Sequence, residues 1–385
     1  MPSLVFLAEE LLAQARRIEE ALEQSKISHT SFEKDTLELL PDDIQMLRWD
    51  LVDTSHTFRQ LLRGARLSGL DIAYSWTEQL IQRIVWRYKL ASVGPINSCA
   101  TYDEISETSG LGRSAVLRTI RAAMTLNIFD ESESGKVCHT AISRLLATDE
   151  GYYHSVGLQL EDIGPASLKL IEAWEKFGED SGEPNQNAFS LNNDGRSLFT
   201  LLAEEPERAH RFDAAMKYAV EAEDFNFSQI MKAFDRSTLD KSGSGQISQA
   251  LGRKIQNLSL TVQELPHVVE QGRKKLPSEF NGRISFEAQN FMDPQQSERA
   301  PDAYLISRLE VLIWDSVLGD SPVKKLSGKF NLRQDFIMAT ISNGKDRSVE
   351  QFRRVLELSD ERFVTESIQR PEGCKLSMIE ISWNC

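Results

Sequence analysis

Basic charge is in short supply. Lys and Arg number 44 against 58 Asp and Glu, a formal net charge of −14, so the chain has no surplus of cations with which to neutralise nucleic-acid phosphates. Long apolar runs are missing too. No stretch approaches the roughly 18 residues that a membrane span requires, and the 41% of hydrophobic residues belongs to core and interface. Cysteine is sparse: Cys99, Cys138, Cys374 and Cys385 show no CxxC pair and no His/Cys ligand spacing, which predicts reduced thiols, a cytosolic setting and no metal site. The opening MPSLVFLAEELLAQARRIEE becomes charged too early for a secretory signal. Neither low-complexity tracts nor internal repeats of about 20–50 residues occur.

What is present is enough for about two domains in 385 residues. LVFLAEELLAQARRIEEALEQ and DIQMLRWDLVDTSHTFRQLLRGARL place apolar residues three and four apart, the helical period. From Thr101, TYDEISETSGLGRSAVLRTIRAAMTLNIFDES followed by GKVCHTAISRLLA reads as helix, turn, helix and a short hairpin bending at ESESG, a winged-helix pattern. Only Arg113, Arg118 and Arg121 lie on its second helix, so packing or dimerisation is expected of it rather than DNA binding. Helices continue through ASLKLIEAWEKFGED and PERAHRFDAAMKYAVEAEDF, and the polar GEDSGEPNQNAFSLNNDG between them predicts a mobile loop. Near residue 235 short apolar runs begin to alternate with helical stretches, an order that predicts a parallel, doubly wound sheet. The expected organisation is a helical region over 1–95, the winged module over 96–150, a helical capping or linker region over 151–232, and an α/β Rossmann-like domain over 233–385.

Asp240-Lys241-Ser242-Gly243-Ser244-Gly245-Gln246 follows a short apolar run and opens a helical one. Glycines at such a junction let a ligand approach the backbone and the helix N-terminus, although a GxG turn alone is a weak signal. The next strand ends LTVQELP, leaving Glu264 about 20 residues downstream, where a carboxylate accepts from ribose hydroxyls. The third ends FEAQNFMD and puts Asn290 and Phe291 at the same edge, suited to hydrogen bonding and stacking with adenine. Together these imply a nucleoside cofactor.

VQELPHVVEQG, RISFEAQNFMDP, PDAYLIS, VLIWDSVL and above all NLRQDFIMATISNGKDRSVEQFRRVL resemble the fungal secondary-metabolite branch of the class I S-adenosylmethionine-dependent O-methyltransferases, the cation-independent kind with a winged-helix dimerisation domain. The resemblance covers nearly the whole chain. It implies an interlocked homodimer, S-adenosylmethionine as cofactor, and a small-molecule substrate, with no nucleic acid or membrane as partner. Carried over by motif, Asp240, Gly243 and Gly245 form the cofactor loop, Glu264 binds the ribose, and Asn290 with Phe291 holds the adenine region. Ser242 stands where a glycine is usual, and the loop is one residue short.

The larger departure is a missing base. In the resembled family a histidine on a helix after the fourth strand takes the substrate hydroxyl proton before methyl transfer. The six histidines here are His29, His56, His139, His154, His210 and His267, so none lies between Asn290 and Cys385. Only Ser307 and Arg308 separate DAYLI from LEVLIWDSVLGD, too few for a crossover helix. An alternative alignment makes LISRLEVLIWDSV that helix, with Val311 or Leu312 at the base position.

The residues that remain point to another chemistry. The resemblance is closest to non-methylating members, pericyclases and dehydratases acting on polyketides or polyketide–amino acid hybrids of the 2-pyridone and tetramic acid class. There the cofactor is structural or electrostatic. His139, after the wing and beside a Thr140 cap, is either structural or a hydrogen-bonding catalyst, and Arg308 either a surface residue or a second catalytic cation. His154, flanked by Tyr152 and Tyr153, lines the substrate cavity or packs at a junction; Phe212, Met216, Met338 and Asn343 are expected to line the pocket. An O-methyltransferase of phenolic or enolic substrates and a non-catalytic dimer partner are the two alternatives.

Overall fold

The computed structural model describes residues 3–37, 40, 42–94, 96–221, 248–249, 252–253, 256–264, 266–289, 310–319, 325–360, 362–370 and 376–383. The chain divides into two compact units, Met1–Glu221 with Val323–Lys345, and Ala222–Pro322 with Asp346–Cys385. The second unit is therefore discontinuous, where the sequence reading treats 233–385 as one piece.

The first unit opens on α1 (Leu4–Gln24), which starts where the Ser3 hydroxyl accepts from the Phe6 amide and buries Leu7, Ile18, Ala21 and Leu22. It packs on α2 (Asp42–Tyr74), and Ile18 and Leu22 meet Leu40 and Leu47 in a small core. Gly64 breaks α2 at φ 68°, ψ 170°, a conformation that a Cβ would penalise. α3 (Trp76–Arg87) leads into the largest core, where Val85 and Leu90 pack with Ile105, Val116 and Ile120.

Those last three come from a compact module: β1 (Ala100–Thr101), α4 (Tyr102–Ser109), α5 (Arg113–Met124), β2 (Phe129–Glu133) and β3 (Lys136–His139), with sheet order β1-β3-β2. α4 begins on a reciprocal Thr101–Glu104 capping box and ends at Gly110 with φ 74°. β1 and β3 are antiparallel with Ala100 opposite Val137 and Thr101 opposite Lys136. One step further along that register lie Cys99 and Cys138, 4.3 Å apart at Cα and joined by a disulfide. This corrects the expectation of reduced cysteines. A 39-residue separation carries no motif, and only the strand pairing brings the two thiols together.

α6 (Ala141–Thr148), capped by Thr140, and α7 (Glu150–Gly157), capped by Asp149, run into a π-helical turn over Leu158–Ile163. Then come α8 (Gly164–Ser167), α9 (Leu170–Phe177), α10 (Ala188–Asn192), α11 (Leu198–Glu204) and α12 (Pro206–Glu221). The polar stretch 178–195, expected as a mobile loop, contains α10. Asn187 caps it by accepting from the Ser190 amide, and Phe189 is buried against Ala166, Leu198 and Leu201. One aromatic in polar company is enough to anchor a short helix.

In the second unit β4 (Leu260–Glu264), α13 (Pro266–Lys275) and β5 (Ile284–Ala288) make one parallel crossover, in register from Leu260 opposite Ile284 to Glu264 opposite Ala288. Leu258, Leu260, Val262, Val269, Phe280, Ile284 and Phe286 form its core. β6 (Glu310–Asp315) is a strand, with Val311 opposite Ile381 and Leu312 opposite Glu380. The alternative that made this run a helix is thereby overturned. β7 (Val317–Leu318) pairs in parallel with β8 (Arg347–Ser348). Between them α14 (Lys329–Ser342) belongs to the first unit, and α15 (Val349–Ser359) follows β8. β9 (Phe363–Gln369) and β10 (Ser377–Trp383) are antiparallel neighbours, and β10 also pairs antiparallel with β6. Part of this unit thus departs from the all-parallel expectation: the few residues between β9 and β10 suffice for a hairpin but not for a parallel crossover. Among the described residues no helix is long and apolar enough to cross a membrane.

Candidate functional site

His139 ends β3 and is buried, its ring 6.1 Å from that of Phe129. Its Nδ1 lies 3.0 Å from the Ser143 hydroxyl. That hydroxyl also accepts from the Thr140 amide at 3.0 Å and lies 3.2 Å from the Thr140 carbonyl. Ser143 has one hydrogen to give. Given to the Thr140 carbonyl, it makes His139 Nδ1 the donor and leaves a lone pair on Nε2; given to Nδ1, it leaves the proton on Nε2. Burial, helped by the nearby Arg144 charge, holds the imidazole below the ordinary histidine value, so the ring is neutral at neutral pH.

A second group of side chains gathers where α7 meets α12. His154 stands edge-on to Tyr153, with ring centroids 5.4 Å apart, and to His210, at 4.8 Å. Burial first, then the His210 and Arg211 charges, pushes its pKa down, against an opposing pull from Glu150. Tyr153 stacks on Trp86 at 5.0 Å, and the Trp86 indole donates to the Tyr153 carbonyl at 2.8 Å. The Arg211 guanidinium lies over the Trp86 ring, 5.7 Å from its centroid, and donates to Asp162 at 2.8 Å; Arg208 donates to the same buried carboxylate at 2.6 Å. A carboxylate so nearly desolvated is held by its two guanidiniums, and removing it leaves both without their shared acceptor.

The expected pocket residues divide. Phe212 is half-buried and packs against both the Phe189–Leu201 and the Leu158–Ala215 clusters, as Ile341 of α14 also does. Met216, one turn later, and Met338 on α14 are exposed. Asn343 sits at φ 51° just past α14, and its side-chain amide donates to the carbonyls of Ser181 at 3.2 Å and Gln186 at 2.5 Å. It ties the loop before α10 to the end of α14, while its Oδ1 is buried without a partner among the described residues.

Of the expected cofactor residues, Asp240, Gly243, Gly245, Asn290 and Phe291 lie outside the described residues, as does Arg308. Glu264 ends β4, directly opposite Ala288 at the end of β5. The carboxyl ends of two adjacent parallel strands therefore meet where the acidic residue stands, the edge at which open α/β sheets take nucleotide ligands. To that extent the second unit fits a nucleoside.

Sequence reading missed Glu150 and His210 as partners of His154. The four-residue step from Glu150 to His154 on one helix face was the available signal; His210 comes from another helix, and only packing delivers it.

No protein-family profile matches the chain. In sequence it is 26% identical over 421 residues to the chlorophenol O-methyltransferase of Trichoderma longibrachiatum, covering 99% of this chain and 90% of that relative. The aligned length exceeds the 385 residues here, so the relative carries segments without a counterpart. In fold, the crystal structure of OxaC superposes with a TM-score of 0.73 at 18% identity, covering 99% of both chains. LepI in complex with SAM gives 0.68 at 16% identity, over 98% of this chain and 100% of the other. A structure described as a pericyclic reaction enzyme gives 0.69 at 16% identity with the same coverage.

Proposed function

From its match to the fungal class I O-methyltransferases, a non-methylating offshoot included, we propose that the chain uses this scaffold for a stereoselective dehydration or pericyclic ring closure of a polyketide or polyketide–amino acid hybrid. The observation that carries the proposal is the absence of any histidine from Asn290 to Cys385, where a methyltransferase base belongs, in a chain that still resembles the cofactor motifs at Glu264 and Asn290–Phe291 and, less one residue, in the 240–246 loop. The Rossmann-like part over 233–385, the winged module over 96–150 and the flanking helical regions are assigned accordingly.

The fit of Glu264 to the sheet edge supports S-adenosylmethionine as cofactor, with Asp240, Gly243, Gly245, Asn290 and Phe291 as its other contacts. When bound, it supplies a fixed positive charge and a methyl donor. His139 acts as a neutral hydrogen-bond donor. That role requires the Ser143 hydrogen on Nδ1, so that Nε2–H is free to polarise a substrate carbonyl or hold a departing hydroxyl. Loss of water takes the hydroxyl from one carbon and a proton from its neighbour; the ring closure then moves electron pairs without adding or removing atoms. Such a step asks for shape complementarity and a donor rather than a strong base. Arg308 is proposed as a second cation. A cytosolic setting belongs to the same proposal, one in which the Cys99–Cys138 bridge would have to resist reduction.

Methyl transfer is the second reading, favoured by the name of the sequence relative. One incubation separates the two. Purified protein, S-adenosylmethionine and a polyene alcohol or quinone methide precursor are expected to give a product stereoisomer ratio different from the spontaneous one, with the cofactor recovered intact. An unchanged ratio with S-adenosylhomocysteine and an O-methylated product would establish the methyltransferase instead.

The homodimer belongs to the same proposal. Leu61, Leu62, Leu67, Ile72, Trp76 and Leu80 are exposed along α2 and α3, a length of apolar surface that a monomer leaves wet and that the family resemblance assigns to a second copy.

A further inference from the structure

Glu150 and His154 lie one turn apart on α7, and His210 reaches them from α12. His210 Nε2 is 3.4 Å and His154 Nε2 3.8 Å from the same Glu150 oxygen, Oε1. All three atoms lie within 4.8 Å of one another. The first distance is at the limit for a hydrogen bond and the second beyond it. His154 Nδ1 is buried and has no partner among the described residues. His154 is thus a largely buried imidazole with neither nitrogen firmly bonded, an arrangement that costs free energy as it stands.

The same spacings suit an ion. With bonds of about 2.0–2.1 Å, neighbouring ligands of tetrahedral zinc stand about 3.3 Å apart, close to the two distances to Oε1. The third edge closes by rotation of His210 and Glu150, whose side chains are 62% and 75% exposed and so free to turn. Two imidazoles and one carboxylate match the open zinc sites, with water completing the shell; nitrogen donors favour zinc, cobalt, nickel or copper over magnesium or calcium. Arg211 and Lys89 bring positive charge nearby, but Arg211 is already committed to the Asp162 carboxylate. We propose that Glu150, His154 and His210 form a binding site for a divalent transition-metal ion of the zinc class, which ties α7 to α12. The resembled chemistry needs no metal, so the ion acts as a clamp between the helix bearing Tyr152 and His154 and the helix bearing Phe212 and Met216.

The test uses the full chain without an affinity tag, stripped with EDTA and titrated calorimetrically with zinc chloride, with magnesium chloride as the control. One zinc per chain is expected, a melting temperature that rises with zinc, and no response to magnesium. Glu150→Gln and His210→Ala, both at exposed side chains, should keep the metal-free melting temperature and circular dichroism. Each should weaken zinc binding by more than the roughly 10–100-fold that loss of an outer-shell partner costs, and abolish the zinc-induced rise in stability. No saturable zinc binding to the stripped protein, or binding unchanged in both variants, would overturn the proposal.

Discussion

At the scale of single residues, His139 Nδ1 meets the Ser143 hydroxyl, and its proton position follows from where Ser143 sends one hydrogen. Ser143→Ala removes that choice and part of the α6 cap. The expected results are a change in the His139 nitrogen chemical shifts, turnover lowered roughly tenfold, the worth of about one hydrogen bond, and stability lower by about 1 kcal/mol. A variant with unchanged nitrogen shifts would show that Ser143 does not position the ring. His139 also carries a pH signature. Its folded pKa lies below the unfolded 6.5, so the unfolded chain binds the proton more readily. Stability is full above that value and is lost as pH falls through the lower folded one. Melting temperatures measured from pH 8 to pH 5.5 should decline less in His139→Gln than in the wild type, the remaining slope containing the like-signed contribution of His154.

At the scale of elements, the π-helical turn after α7 is where packing is least forgiving. A Cβ on Gly157 would collide with the Trp86 indole, which is itself held by the Tyr153 carbonyl and stacked on its ring. Gly157→Ala should cost about 1–3 kcal/mol by overpacking, read as a lower urea midpoint with an unchanged slope. Asp162, in the same turn, neutralises Arg208 and Arg211 of α12. Asp162→Ala leaves two guanidiniums without their shared acceptor and should cost about 3–5 kcal/mol, a loss visible in the same urea titration. Helix existence was legible at this scale wherever the 3.6 period ran long, as in α1, whose bounds coincide with the run LVFLAEELLAQARRIEEALEQ. α10 was not legible, because a five-residue helix held by one cap and one buried phenylalanine has no period to read.

At the scale of the whole molecule, the Cys99–Cys138 bridge closes a loop of 39 residues, which chain-entropy reasoning values at about 4 kcal/mol. Reduction, or Cys99→Ser, should lower the melting temperature by several degrees while α4 and α5 still form; an unchanged melting temperature would mean that the thiols contribute nothing beyond packing. The apolar length of α2 and α3 predicts a dimer at this scale. Light scattering should give twice the 43.6 kDa chain mass, and Leu62→Lys with Ile72→Lys should return the monomer.

Residue order alone determined the helical first half, the crossover from β4 to β5, the acidic residue at the end of β4 and the lack of a histidine after His267, because each is a property of local period, spacing or composition. Tertiary structure decided what depends on distant segments meeting. It placed Cys99 opposite Cys138 through strand register, brought His210 to His154 through the packing of α7 on α12, and set Phe212 and Ile341 of α14 against one buried cluster. In these three cases, Cys99 with Cys138, His154 with His210, and Phe212 with Ile341, the partners lie tens of residues or more apart, and nothing in a chain read one stretch at a time records which faces will be buried together.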